Sequence, residues 1–142
     1  MGEGAVCENR CVPYRVIQPS EVPWEERPGA DGAPSRWTAD ITAAANLAES
    51  RARLWRIPAG VRGRRHLEGV QEEVFVVLSG TLTMLLEDPP ERIDVLEGGI
   101  VSVAPGTGIQ MRNESDTDVV VFAYGAPPIT GQAEYLDDIV DV

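Results

Sequence analysis

Gly60-Val-Arg-Gly-Arg-Arg-His66-Leu-Glu68-Gly-Val-Gln-Glu-Glu73-Val-Phe75-Val-Val77-Leu-Ser-Gly80 is the stretch on which the fold turns. Extended backbone sends successive side chains to opposite faces, so His66 and Glu68 point one way together. In the valine-rich run that follows, Glu73 shares its face with Phe75 and Val77. A carboxylate placed among buried apolar groups is costly unless it is paired, protonated or bound to a cation. The stretch therefore predicts one imidazole and two carboxylates gathered in a concave site. Gln71 and Glu72 are expected in the turn or on the outer face.

Outward from this stretch the punctuation is regular. Strands are expected at Arg51–Ile57, Glu73–Leu78, Thr81–Glu87, Arg92–Val95, Ile100–Val103, Ile109–Asn113 and Val119–Tyr124. Between them stand turn-forming groups such as Pro58-Ala59-Gly60, Ser79-Gly80, Glu97-Gly98-Gly99 and Pro105-Gly106-Thr107-Gly108. Many short strands at this spacing predict an all-β sandwich or barrel. Closure of the sheets hides edges that short strands would otherwise expose. One domain is expected, with an arm over residues 1–35, a barrel over 36–126 and a tail over 127–142. The arm carries one short extended piece at Tyr14–Ile17. A further strand is expected at Arg36–Ile41, and Thr42–Ser50 is alanine-rich enough for about two helical turns. Pro127 and Pro128 end the last strand because neither can donate to a ladder. Beyond them Tyr135, Leu136, Ile139 and Val140 are expected to pack as a short helical turn.

The chain of 142 residues has 23 acids against 12 bases, a formal net charge of -11. Such a surface repels a phosphate backbone, which argues against nucleic acid as a partner. No apolar run reaches the roughly 20 residues that span a bilayer, so no membrane role is expected. The first residues lack the basic start and apolar core of a secretory leader, and a cytoplasmic setting is expected. Cys7 and Cys11 lie in the arm, where their spacing allows a disulfide but a reducing compartment favours two free thiols. All the bases are arginines, and six of them (Arg51, Arg53, Arg56, Arg62, Arg64 and Arg65) crowd one segment. That segment reads either as solvated strand and loop positions or as a rim attracting an anion.

The stretch resembles the first motif of the cupin superfamily, G-x5-H-x-H-x(3,4)-E-x6-G. Gly60, His66, Glu73 and Gly80 match, and Glu68 stands where the second histidine belongs. Residues 98–113, GGIVSVAPGTGIQMRN, are similar to the second motif, G-x5-P-x-G-x2-H-x3-N. There Gly98, Gly106 and Asn113 match, while Ala104 replaces the proline and Ile109 the histidine; Pro105 follows the common Pro-Gly variant. The resemblance covers about 75 residues, from Arg51 to Gly125, and implies a single cupin jelly-roll barrel, a double-stranded β-helix of small size.

In the family the motif histidines and glutamate hold a divalent metal. Carried over, the set becomes His66, Glu68 and Glu73 with Ile109 in the fourth place, and isoleucine ligates nothing. Three donors can still hold iron, manganese, zinc or nickel. His66 reads alternatively as a hydrogen-bonded histidine in a vestigial pocket, and Glu68 as a solvent-facing carboxylate paired with Arg64 or Arg65. Trp55, Phe75, Met84, Ile109, Met111 and Phe122 are the apolar pocket residues expected around the site. The reading that follows is a barrel binding a small molecule through a degenerate site. Its alternatives are a metal-dependent dioxygenase, isomerase, epimerase or decarboxylase with His66 and Glu73 as catalytic groups, and a metal-free or purely structural barrel. The arm and the exposed end strands of such a barrel predict a homodimer.

Overall fold

A computed structural model describes residues 13–29, 32–128 and 133–139. Cys7, Cys11 and Val140 lie outside the described residues. Eleven strands form among those that are described: β1 (Trp24–Arg27), β2 (Arg36–Asp40), β3 (Arg51–Ile57), β4 (His66–Leu67), β5 (Glu72–Ser79), β6 (Leu82–Leu86), β7 (Glu91–Val95), β8 (Ile100–Val103), β9 (Gly108–Arg112), β10 (Val119–Ala126) and β11 (Glu134–Tyr135). They make a six-stranded sheet, β1-β2-β3-β10-β5-β8, and a five-stranded sheet, β11-β4-β9-β6-β7, with every pairing antiparallel. This is the all-β jelly roll expected.

The two sheets close on a core in which Ile57, Phe75, Val77, Met84, Ile109 and Val121 are all buried. The alternation is kept across the six-stranded sheet. Arg53, Ala123, Phe75 and Val101 lie side by side on the inner face, and Leu54, Phe122, Val76 and Ile100 on the outer one. The strands expected from Arg51 onward are present to within two residues at each end. The arm contributes a strand to its own sheet, but the strand is Trp24–Arg27 and not Tyr14–Ile17.

Two other expectations fail for local reasons. The helix is a single turn, α1 (Ile41–Ala44), capped by the Asp40 side chain accepting from the Ala43 amide at 3.3 Å. It stops because Asn46 takes a left-handed φ of 55°, and because the Thr42 hydroxyl accepts from the Ala52 amide at 2.9 Å and fixes the segment to β3. The tail does not form a helical turn. It pairs as β11 against β4 and then runs over the outer face of the five-stranded sheet. Gln110 donates there to Asp138 at 3.0 Å, the buried Arg65 donates to the Asp137 carbonyl at 3.0 Å, and Arg112 donates to the Ile139 carbonyl. Polar groups on β9 and just before β4 thus decide the tail's path, which hydropathy does not report.

The residues matching the two motifs are largely turn hardware. Asn113 is 1% exposed and fully used. It donates to the carbonyls of Ile57 and Thr117, each at 2.7 Å, and accepts from the Ser115 amide at 3.0 Å. Gly80 turns the β5–β6 hairpin at φ 81°, and a Cβ there would sit 2.5 Å from the Asp118 carbonyl oxygen. Gly60 has a similar φ, 79°, but open space around it. Gly60→Ala therefore carries backbone strain alone, about 1 kcal/mol, whereas Gly80→Ala adds a collision with main chain and costs roughly 3 kcal/mol or more. Urea unfolding of both variants checks this, and equal losses would contradict the close approach at Gly80.

Candidate functional site

At the end of the barrel where β3 and β5 begin and β10 finishes lies a cavity of about 380 Å³. Its wall is built from both sheets. β4 supplies His66, the following loop Glu68 and Gln71, β5 Glu73 and Phe75, β3 Arg51, Arg53 and Trp55, and β9 Met111. The pleat explains the set: Glu73 and Phe75 are two residues apart on β5, and Phe75 lies beside Ala123 and, one strand further, Arg53. Glu68 is placed from below, its carbonyl accepting from the Gly106 amide at 2.7 Å. The Pro-Gly turn of the second motif thereby holds the acidic residue of the first.

Three side chains define the electrostatics. Burial first, and then the neighbouring charge of Glu68, push the Glu73 carboxyl up from 4.5 to about 7 against the partial opposition of Arg51. Glu68 keeps its charge partner at the rim, 3.8 Å from Arg51, not in Arg64 or Arg65. The His66 Nδ1 lies 2.9 Å from the Arg64 carbonyl oxygen. A carbonyl only accepts, so the proton sits on Nδ1 and neutral His66 keeps its lone pair on Nε2. A protonatable carboxyl and an imidazole thus line one hollow with an aromatic and a thioether wall.

The expected pocket residues divide. Trp55, Phe75 and Met111 line the cavity. Met84, the register partner of Met111, is wholly buried in the core, as is Ile109 beside His66. Phe122 faces the other way, its ring 6.5 Å from that of Tyr124, because its neighbour Ala123 takes the inward position. Sequence reasoning placed Arg53 only among the crowded arginines of a candidate rim, and missed Gln71. Gln71 is 3% exposed and donates to the Pro127 carbonyl at 3.1 Å. Its side chain fits because residue 125 is glycine: a Cβ there would lie 2.5 Å from it. Arg53 donates to the Thr38 hydroxyl at 3.1 Å on the inner face. The pairing of a buried glutamine with a strand glycine was the available signal, but only coordinates connect the two positions.

The metal set carried over from the motif does not assemble. His66, Glu68 and Glu73 share the cavity wall, yet no three His, Cys, Asp or Glu side chains among the described residues converge as ligands. The reason is chemical as well as geometric. Glu68 leans to Arg51, and Ile109, paired with His66 across β4 and β9, offers no donor.

Residues 53–124, half of the chain, match the family model described as Cupin domain. No curated protein matches by sequence. Among solved structures, a sugar phosphate isomerase from a cupin superfamily from Silicibacter pomeroyi aligns at 21% identity with a TM-score of 0.72, over 87% of this chain and 82% of that one. A predicted oxalate decarboxylase from Thermotoga maritima aligns at 16% and 0.68, over 79% and 98%. KdgF from Halomonas sp. aligns at 17% and 0.64, over 80% and 94%. At these identities the likeness establishes a shared fold.

The raised Glu73 sets a pH dependence. Between about pH 4.5 and 7 the folded chain holds a proton that the unfolded chain has released, so stability falls as pH rises through that window. Glu73→Gln removes the ionisation. Its stability curve stays flatter from pH 5 to 8, with a relative gain on the order of 1–2 kcal/mol at pH 8 after solvent screening. Denaturant midpoints across that range check it; parallel curves for the two proteins would show that Glu73 ionises freely.

Proposed function

Because the chain belongs to the cupin domain family, we propose that its barrel binds a small polar organic molecule without a resident metal. One observation carries the reading. The cavity joins an apolar wall (Trp55, Phe75 and Met111) to convergent polar groups, yet it offers no converging set of metal ligands among the described residues. The ligand class follows from those groups. Protonated Glu73 donates a hydrogen bond, the Nε2 lone pair of His66 accepts one, and Arg51 and Arg53 favour an acceptor-rich or carboxylate end at the rim. Trp55 and Phe75 suit a flat or ring-shaped body.

A second reading, metal-free acid–base catalysis, is favoured by the value near 7 at Glu73. An acid of that strength both gives and takes a proton at neutral pH, and His66 Nε2 supplies a second base in the same wall. Proton shifts on a bound hydroxy-carbonyl compound are the chemistry such a pair performs.

The assembly we propose is a two-fold dimer through the outer face of the six-stranded sheet. Trp37, Leu78, Ile100 and Tyr124, on four of its strands, are between 38% and 67% exposed there. A monomer mass by light scattering would exclude it.

Native mass spectrometry and elemental analysis of protein purified without chelators test the main reading. The expected result is metal well below one equivalent per chain and a small organic adduct that the double variant His66→Ala, Glu73→Gln releases. Stoichiometric metal, lost in His66→Ala alone, would overturn it. Turnover of an identified ligand that Glu73→Gln abolishes without weakening binding would establish the catalytic reading instead.

A further inference from the structure

A second hollow, of about 630 Å³, lies outside the barrel between the turn after β1, the loop joining β3 to β4, and the tail. Among the described residues, five arginines face it (Arg27, Arg36, Arg62, Arg64 and Arg65) against one carboxylate, Asp138. In a chain of net charge -11 this is a local reversal of sign.

The five are not equivalent. Arg62 is paired with Asp138 at 3.0 Å. Arg65, nearly buried, is paired with Asp88 at 3.2 Å and holds the tail. The Arg64 guanidinium lies 3.6 Å from the Tyr135 ring centre, an arrangement that leaves its N–H edge available. Arg27 and Arg36 have no carboxylate within ion-pair distance among the described residues.

Arg36 is the telling one. Its guanidinium stacks 4.8 Å from the Trp55 ring centre and donates weakly to the Arg62 carbonyl at 3.4 Å. Its Nε is buried and, among the described residues, has no hydrogen-bond partner. Burial, followed by the nearby charge of Arg27, pushes its pKa down. A buried N–H of a cation without an acceptor, beside a second unpaired cation, is costly in isolation. An oxyanion between the two offsets both penalties, because the guanidinium fork matches the oxygens of phosphate and of carboxylate.

We propose that this hollow is a second ligand site, separate from the barrel cavity, which binds a small molecule through a phosphate or carboxylate group held by Arg27 and Arg36, with Arg64 as a third donor. Trp55 forms the partition: one cavity is lined by its ring, and Arg36 stacks on that ring from the other hollow.

Calorimetric titration of the full chain at low salt with inorganic pyrophosphate and with malonate tests the site. One-to-one saturable binding is expected, and the tighter of the two anions names the group recognised. Arg27→Gln, at an exposed position, weakens it about tenfold or more, and Arg27→Gln with Arg36→Gln removes it. Arg56→Gln leaves binding unchanged, since that side chain stacks on Trp24, away from both cavities. Amide resonances of Gly29, Gly60 and Gly63 shift on titration. No saturable binding, equal binding by all variants, or shifts confined to Gln71 and Glu73 would overturn the proposal. The last outcome would assign the anion to the barrel cavity.

Discussion

Glu73 sits where the pleat of β5 leaves it no choice. Two residues on, Phe75 is packed in the core, and Val77 follows it, so the carboxyl begins a face that water scarcely reaches. Shifting the strand by one residue would expose Phe75 and Val77 together, at a cost far above that of one neutralised acid. The core therefore enforces the acid's position, and the acid adjusts its proton affinity to its surroundings. The properties of the barrel cavity descend from that constraint: a carboxyl of raised proton affinity, a neighbouring glutamate paired with Arg51, and a histidine whose Nδ1 meets the Arg64 carbonyl.

The turn hardware serves the same end. Gly80 and Asn113 fix the hairpins that set the strand registers, and the Gly106 amide reaches the carbonyl of Glu68. These are the positions at which the two motifs persist here, while two of the four motif ligand places hold other residues. Retention of turns with exchange of ligands is what one expects when the fold needs the former and the chemistry has moved from the latter.

How much of this was legible beforehand follows the range of the forces involved. Strands from Arg51 onward declare themselves because alternation and turn chemistry are local, and His66, Glu68 and Glu73 on one wall follow from the same rule. The two-residue β4 and β11 carry no pattern of their own; β4 exists because β9 and β11 supply hydrogen bonds on its two sides, and β11 because β4 does on one. Gln71 becomes buried only through the missing side chain of Gly125, and Phe122 is lost to the outer face by the alternation that puts Ala123 inside. The stopped helix after Asp40 reflects a hydroxyl contact ten residues away, beyond what alanine content can report.

The strand that bears His66 is two residues long and lies between β9 and β11. Its outer neighbour comes from residues 134–135, and the tail is anchored by polar contacts of Arg62, Arg65, Gln110 and Arg112. The exposed Arg62–Asp138 pair among them weakens with ionic strength, whereas the core does not. Proteolytic trimming, or a fusion partner joined at that end, would strip β4 of half its ladder and loosen the imidazole while the barrel itself stayed closed.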